Sequence, residues 1–255
     1  MDVAGKKVIV TGGSGGMGTA LVKVLAANGA IVTSLDMADQ PGQQVVDDAN
    51  QAAGETRAWF ITADLTDRAS VNAAFAQAVE RMGGLDALVH TAGVHRITDM
   101  TDEDDATYAL IMDVNVRGTV LTNLAACKAM QQSGGGSIVN FGSVSGLRPE
   151  PSSLYYSASK GAVHSWTRSL SRDVDKHAIR VNAILPMMAT PMAHAAREAM
   201  TQEEILAAFG HDWDKVKWGN AEQDLAPVVG FLVSDASHFI TGQLLPVDGG
   251  LFHVR

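Results

Sequence analysis

Tyr156 and Lys160 stand four residues apart in a chain of 255 residues, within Tyr155-Tyr156-Ser157-Ala158-Ser159-Lys160. On a helix this offset puts both side chains on one face. An ammonium beside a phenol favours the phenolate and lowers a pKa that is ~10 in isolation. Tyr156 can then act as a general acid or base near neutral pH. Tyr155 has Ser159 at the same offset and reads as packing. An ordinary surface pair is the alternative reading for Tyr156 and Lys160. Ser143 lies 13 residues before Tyr156, at the end of an apolar run. Its hydroxyl can bond a substrate oxygen while Tyr156 exchanges the proton, or simply close a turn.

A second constellation lies near the N-terminus. Thr11-Gly12-Gly13-Ser14-Gly15-Gly16-Met17-Gly18 follows the apolar run Val8-Ile9-Val10 and precedes a helix-like segment from Thr19 to Ala27. Strand, glycine-dense turn and helix start together offer unpaired N–H groups and a positive dipole end to an anion. Gly12, Ser14, Gly15, Gly16, Met17 and Gly18 are therefore candidate phosphate contacts, although loops also carry glycine merely to turn. Asp36 follows Gly18 by 18 residues, near the ~20 expected of a carboxylate that accepts from ribose hydroxyls. Such a carboxylate repels a 2′-phosphate. No Arg or Lys occupies positions 13–17 or directly follows Asp36, so NAD(H) is expected over NADP(H). A cap or turn aspartate is the plainer reading of Asp36. Asp64 can accept from an adenine amine or cap the helix after it.

These residues need elements to hold them. Short β-branched runs alternate with amphipathic segments. Strands are expected at 7–11, 30–36, 57–62, 85–91, 136–143, 179–185 and 243–247. Helices are expected at 16–28, 42–53, 67–82, 104–132, 153–176 and 222–234. The pattern predicts an α/β fold: a Rossmann-like, doubly wound parallel sheet of about seven strands with helices on both faces, three layers in all. One NAD(P)-binding domain over 1–255 accounts for it, with a less regular, Met-rich segment at about 187–219. Ligands of such sheets bind at the carboxyl ends of the strands, where Thr11, Asp36, Asp64, Thr91, Ser143 and Pro186 fall.

The formal net charge of −9 and the lack of a Lys/Arg run argue against nucleic acid. No apolar stretch approaches the ~20 residues that cross a bilayer, and the N-terminus lacks a signal-peptide core. A cytoplasmic protein with no membrane contact and no metal is expected. Cys127 is the single cysteine, so no internal disulfide can form; among Leu121, Leu124, Ala125 and Ala126 it reads as a packed thiol.

Taken in order, the motifs resemble the short-chain dehydrogenase/reductase family, of the compact, non-extended type. They are Thr11-Gly12-x-x-x-Gly16-x-Gly18, Asp64, Ala92-Gly93, Asn115 in Asp113-Val114-Asn115-Val116, Ser143 and Tyr156-x-x-x-Lys160, then Ile240-Thr241-Gly242-Gln243 and Val247-Asp248-Gly249-Gly250. The resemblance implies that Tyr156 is the acid/base, that Lys160 lowers its pKa and binds the nicotinamide ribose, and that Ser143 orients the substrate. It implies that Asn115 holds a kink in the long helix and a water that links Lys160 to solvent. It adds Leu65, Thr91, Ala92, Gly93, Pro186 and Thr190 to the cofactor contacts, and a homotetramer or homodimer as the assembly. The segments around Asn115 and Tyr156, and the C-terminal residues 251–255, are its expected interfaces. Two departures stand out: Thr91, preceded by His90, replaces the usual Asn before Ala-Gly, and the segment after Pro186 is one residue short.

His95, Ser143, Ser145, Tyr156, Met187 and Met188 are the expected substrate contacts, with Leu147, Arg148 and His194 on segments able to approach. The Met-rich segment carries Met187, Met188, Met192, Met200, Phe209, Trp213 and Trp218. It predicts an adaptable apolar pocket for a small apolar or cyclic secondary alcohol or ketone, or else the buried face of one or two lid helices. A catalytically idle NAD-binding regulator and a sugar-nucleotide epimerase are the alternative functions.

Overall fold

In a computed structural model of the chain, the described residues are 1–37, 39–98, 101, 104–210 and 212–252, without the side chains at 196, 199 and 207–209. Seven strands form one sheet: β1 (Lys7–Thr11), β2 (Ile31–Asp36), β3 (Ala58–Thr62), β4 (Ala87–His90), β5 (Gly136–Phe141), β6 (Ile179–Pro186) and β7 (Leu244–Val247). Their order is β3-β2-β1-β4-β5-β6-β7 and every neighbouring pair is parallel. A strand covered on both faces must be apolar at successive positions. In β1, Val8 and Val10 enter one core cluster and Ile9 the other.

The helices on the two faces are α1 (Gly16–Ala27), α2 (Asp39–Ala53), α3 (Arg68–Met82), α4 (Asp105–Met112), α5 (Gly118–Ser133), α6 (Leu154–Asp173), α7 (Pro191–Ala199), α8 (Gln202–Phe209) and α9 (Ala226–Val233). The helix expected over 104–132 is broken into α4 and α5 by a π-helical turn at Asp113–Arg117. Asn115 lies inside that turn, where the resemblance implied a kink. The helix expected to reach residue 176 stops at Asp173. A 3₁₀ turn (Asp175–His177) follows, closed by Ala178 in the left-handed conformation (φ 56°). The last helix begins with a π-helical turn at Ala221–Leu225. Cys127 is buried in the second core cluster, and burial pushes its thiol up to about 11.

From β1 the chain moves outward to β2 and β3, then returns to β4 on the other side of β1. A crevice must open above the carboxyl ends of β1 and β4, because their following connections leave in opposite directions. Among the described residues no helix is long and apolar enough to cross a membrane, and no group of His, Cys, Asp and Glu is placed to hold a metal ion.

Candidate active site

The crevice is a cavity of about 540 Å³ beside the glycine turn. Its glycines answer separate close approaches. Gly12 has φ +68°, and a Cβ there would stand 2.7 Å from the Ala92 backbone. A Cβ on Gly16 would stand 2.9 Å from Pro191 Cδ, and one on Gly18 would run into the Gly12 carbonyl. α1 starts at Gly16 with no side-chain cap and no acidic residue in its first turn. Its leading N–H groups and dipole are thus left for an anion. Asp36 Oδ2 accepts from Ser14 N–H at 3.0 Å and Oδ1 from Met37 N–H at 2.7 Å, which fixes the carboxylate at the crevice wall. No Lys or Arg is among the described residues lining the crevice.

Asp64 is not the helix cap. Asp67 caps α3 by accepting from Ser70 N–H. Asp64 Oδ1 instead accepts from Thr66 Oγ1 at 2.7 Å and Thr66 N–H at 2.8 Å, bonds that hold its carboxyl below the usual range. Asp64 and Leu65 line the crevice, as do Thr91, Ala92, Gly93 and Thr190. Thr91 compensates for the missing Asn: its Oγ1 donates to Thr11 O at 2.7 Å, tying the end of β4 to the end of β1. His90 Nδ1 lies 2.7 Å from Thr11 Oγ1 and 3.2 Å from Thr122 Oγ1. Burial holds the imidazole neutral, pushing its pKa down to about 3. Sequence reasoning missed Met37, Thr66, Val94, Leu110 and Val114 in this wall. The motif-free loops and helix faces that supply them give no spacing signal.

Asn115 and Lys160 support the crevice from behind. In the π-turn Asn115 Oδ1 accepts from Val94 N–H at 2.8 Å, while its Nδ2 donates to Val94 O at 2.9 Å and Ser159 Oγ at 3.0 Å. A Cβ on Gly93 would lie 3.3 Å from Asn115 Oδ1 and 3.4 Å from Lys160 Nζ, so the crevice floor rests closely on both. Ser143 follows β5 and starts the 3₁₀ turn Val144–Gly146. Its N–H donates to His164 Nε2 at 3.3 Å and its Oγ lies 2.8 Å from Ser145 Oγ.

Tyr156 and Lys160 project from the same side of α6, and the nearby Ser143 hydroxyl favours the charged form of the phenol. The expected depression of Tyr156 by Lys160 is not what this geometry gives. Lys160 Nζ lies 5.6 Å from the centre of the phenol ring and donates to Phe141 O at 2.8 Å. Burial raises the phenol's pKa, the charge of Glu150 raises it further, and the Ser143 hydroxyl opposes both. Burial likewise pushes Lys160 down to about 8.

A second cavity, of about 160 Å³, opens in front of the phenol. All six expected substrate contacts line it: His95, Ser143, Ser145, Tyr156, Met187 and Met188. Met200, Trp213, Trp218 and Phe252 complete an apolar wall, while Arg148 and Glu150 bring charge. Pro186 also lines it. Leu147 and His194 are not in the lining; Leu147 is exposed and His194 lies against Trp213, with ring centres 6.5 Å apart. The Phe209 side chain and residues 253–255 lie outside the described residues. Met17, Thr190 and Met192 line both cavities, so the two adjoin. Thr190 reaches this boundary despite the shortened segment; its Oγ1 accepts from Ala193 N–H and caps α7.

The short chain dehydrogenase family model matches residues 6–201. The chain belongs to the short-chain dehydrogenase/reductase family. It is accordingly a dehydrogenase or reductase of CH–OH donors on a fold that binds a nicotinamide dinucleotide. It is 36% identical over 246 residues to 2-(S)-hydroxypropyl-CoM dehydrogenase 3 of Xanthobacter autotrophicus, covering 96% of this chain and 95% of that one. It is 34% identical over 250 residues to 2,5-dichloro-2,5-cyclohexadiene-1,4-diol dehydrogenase of Sphingobium indicum, covering 97% and 96%. Among solved structures, NAD+-bound xylitol dehydrogenase is similar with a TM-score of 0.88 at 26% identity, covering 98% of this chain and 100% of that one. A variant of actinorhodin polyketide ketoreductase with NADPH is similar at 0.87 and 27%, covering 96% and 97%.

Proposed function

We propose that the protein is an NAD-dependent dehydrogenase/ketoreductase that interconverts a cyclic or otherwise largely apolar secondary alcohol and its ketone. The observation that carries this reading is the meeting of two cavities across Met17, Thr190 and Met192, one cradle-like and the other faced by Ser143 and Tyr156. The glycine turn fits a dinucleotide, because Gly12, Gly16 and Gly18 let the turn pack closely on Ala92, Pro191 and its own backbone, and the start of α1 is uncapped. The turn would hold the pyrophosphate, Asp36 the adenosine ribose, Asp64 and Leu65 the adenine side, and Thr91, Ala92, Gly93, Pro186 and Thr190 the nicotinamide half. Asp36 favours NAD over NADP, since a 2′-phosphate would meet its carboxylate with no cation nearby.

When bound, a nicotinamide supplies the hydride acceptor or donor. The chain's own groups handle the proton and the orientation. Ser143 Oγ bonds the substrate oxygen, and Tyr156 takes the alcohol proton in oxidation or returns one in reduction. Asn115 fixes the Gly93-Val94 backbone and the Ser159 hydroxyl beside Lys160, and Lys160 provides the cation that offsets a developing phenolate. The methionines and tryptophans of the 187–219 segment exclude water from the ring-sized pocket. The diol-dehydrogenase relative is named for a cyclic substrate, in keeping with that wall. A homotetramer, paired through faces that include the exposed Tyr108, Leu124 and Leu154, is part of the reading.

The test is a screen of cyclic secondary alcohols and ketones with each cofactor, followed at the nicotinamide absorbance. Turnover with NAD+ or NADH, reduced about 10²- to 10⁴-fold in Tyr156→Phe, supports it. Unchanged turnover in that variant, or a preference for NADP+, would refute it.

A further inference from the structure

Glu150 is the one carboxylate among the described residues that line the pocket in front of Tyr156. It lies in Arg148-Pro149-Glu150-Pro151, between the 3₁₀ turn and α6. Flanking prolines fix two φ angles and remove two donors, so this segment gets its shape from outside bonds. Ser152, in the left-handed region at φ 57°, gives its hydroxyl to Glu204 of α8 and accepts Thr98 N–H on its carbonyl at 2.9 Å. A non-glycine residue in that region marks a backbone held by its surroundings.

Glu150 is itself incompletely partnered. The nearby Ser153 hydroxyl favours its charged form, and Ser153 Oγ stands 3.0 Å from His95 Nε2. His95 thus touches Ser153 on one side and has its ring edge-on to the Tyr156 ring on the other, 4.6 Å between centres. An ionised carboxylate has about four acceptor sites, and among the described residues Ser153 is the one hydroxyl that weighs on them. Arg148 does not pair with it: its guanidinium lies over the Phe252 ring, 4.5 Å from the ring centre. Burial pushes the Glu150 carboxyl up to about 7, as removal of water without full replacement requires.

We propose that Glu150 accepts a hydrogen bond from a second hydroxyl of the substrate, so that the pocket takes a ring diol in preference to a simple ring alcohol. This rests on the secondary-alcohol reading above and adds the substrate's second functional group. A hydroxyl suits the site better than an ammonium, because Arg148 and Lys160 already bring positive charge to its surroundings. The apolar Met and Trp wall takes the carbon ring, and one carboxylate opposite it supplies the polar contact that fixes the ring's orientation.

The experiment compares kcat/KM for cyclohexanol, the cyclohexane-1,2-, 1,3- and 1,4-diols and 2-aminocyclohexanol, with NAD+, in the wild type, Glu150→Gln and Glu150→Leu. The wild type is expected to favour at least one diol over cyclohexanol by about ten- to a hundredfold, as for a buried hydrogen bond to a charged group. Glu150→Leu is expected to lose that ratio, and Glu150→Gln to keep part of it through its carboxamide oxygen. Ser153→Ala, which leaves Glu150 in place, is expected to keep a diol preference and serves if the Leu variant fails to fold. NADH binding and the melting temperature check the fold of each variant. No diol preference in the wild type, the same ratio in a folded Glu150→Leu (or, if that variant does not fold, in Glu150→Gln), or a preference for the amino alcohol would overturn the proposal while the secondary-alcohol reading stood. Absence of turnover for every alcohol with either cofactor would overturn both.

Discussion

Replacing Lys160 with methionine should stabilise the cofactor-free protein near neutral pH while abolishing turnover. Lys160 is 5% exposed, and burial lowers its pKa from 10.5 to about 8. At roughly 1.4 kcal/mol for each tenfold change in the protonation equilibrium, carrying this charge costs about 3 kcal/mol below pH 8. The sign follows from proton counting. Between pH 8 and 10.5 the unfolded chain binds the Lys160 proton and the folded chain does not, so stability rises with pH across that window. The cost is fully present below it and absent above it. Methionine keeps the length and removes the charge. It also leaves Phe141 O without the 2.8 Å bond from Nζ, a loss of about 1 kcal/mol. The net gain at pH 7 is about 2 kcal/mol, or about 4–8 °C in Tm for a chain of this size. By pH 9.5 the remaining cost falls to about 1.4 kcal/mol and the advantage nearly vanishes. Thermal unfolding of wild type and Lys160→Met at pH 7 and 9.5 checks both figures. A variant less stable than wild type at pH 7, or a gap that does not change with pH, would refute the argument that Lys160 is held at a cost.

Gly12→Ala should lower Tm and weaken NADH binding by at least about tenfold, read by NADH fluorescence. Its φ of +68° costs a non-glycine residue about 1–2 kcal/mol, and its Cβ would meet the Ala92 backbone at 2.7 Å. Asp36→Ala should raise kcat/KM for NADP+ relative to NAD+, because it removes the carboxylate that a 2′-phosphate would face; an unchanged ratio would count against Asp36 as the selector. Cys127, 5% exposed and with its thiol pushed up to about 11, should react with an aromatic disulfide reagent only when denaturant unfolds the chain.

The parallel sheet was legible because its strands are short runs rich in β-branched and apolar residues, separated by helix-length segments. The chemistry was legible where residue type and spacing coincide with a strand end, as at Gly12 to Gly18, Asp36, Ser143 and Tyr156. Other features were not legible in the local sequence, each for its own reason. The break between α4 and α5 was expected only through the resemblance, because Asn115 turns its amide onto Val94, a contact 21 residues away that no local propensity reports. Asp64 had two readings that local sequence could not separate, since Thr66 and Asp67 both offer ways to start α3. Glu150 carried no signal, because an isolated Glu between prolines reads as a solvent-facing loop residue. Only the folded chain places it in the pocket beside the phenol. The pairing of Tyr156 with Lys160 was anticipated from their spacing, but its electrostatics were not, because spacing says nothing about how much water the two groups lose.

That last difference joins specificity to catalysis. Tyr156 must approach the phenolate to take a proton, and in this pocket burial and the Glu150 charge both resist it. A substrate hydroxyl that donates to Glu150 draws that charge toward itself and reduces its effect on the phenol. Above about pH 7, where Glu150 is ionised, a ring alcohol without a second hydroxyl leaves its charge unshared beside Tyr156. If Glu150 reads the second hydroxyl, the diol's advantage therefore appears in kcat as well as in KM, because the same bond that orients the ring also eases ionisation of the base. A purely positional role for Glu150 would move KM and leave kcat where it was. The division of a measured diol preference between the two constants thus separates a carboxylate that only holds the substrate from one that also makes its own charge conditional on the substrate's presence.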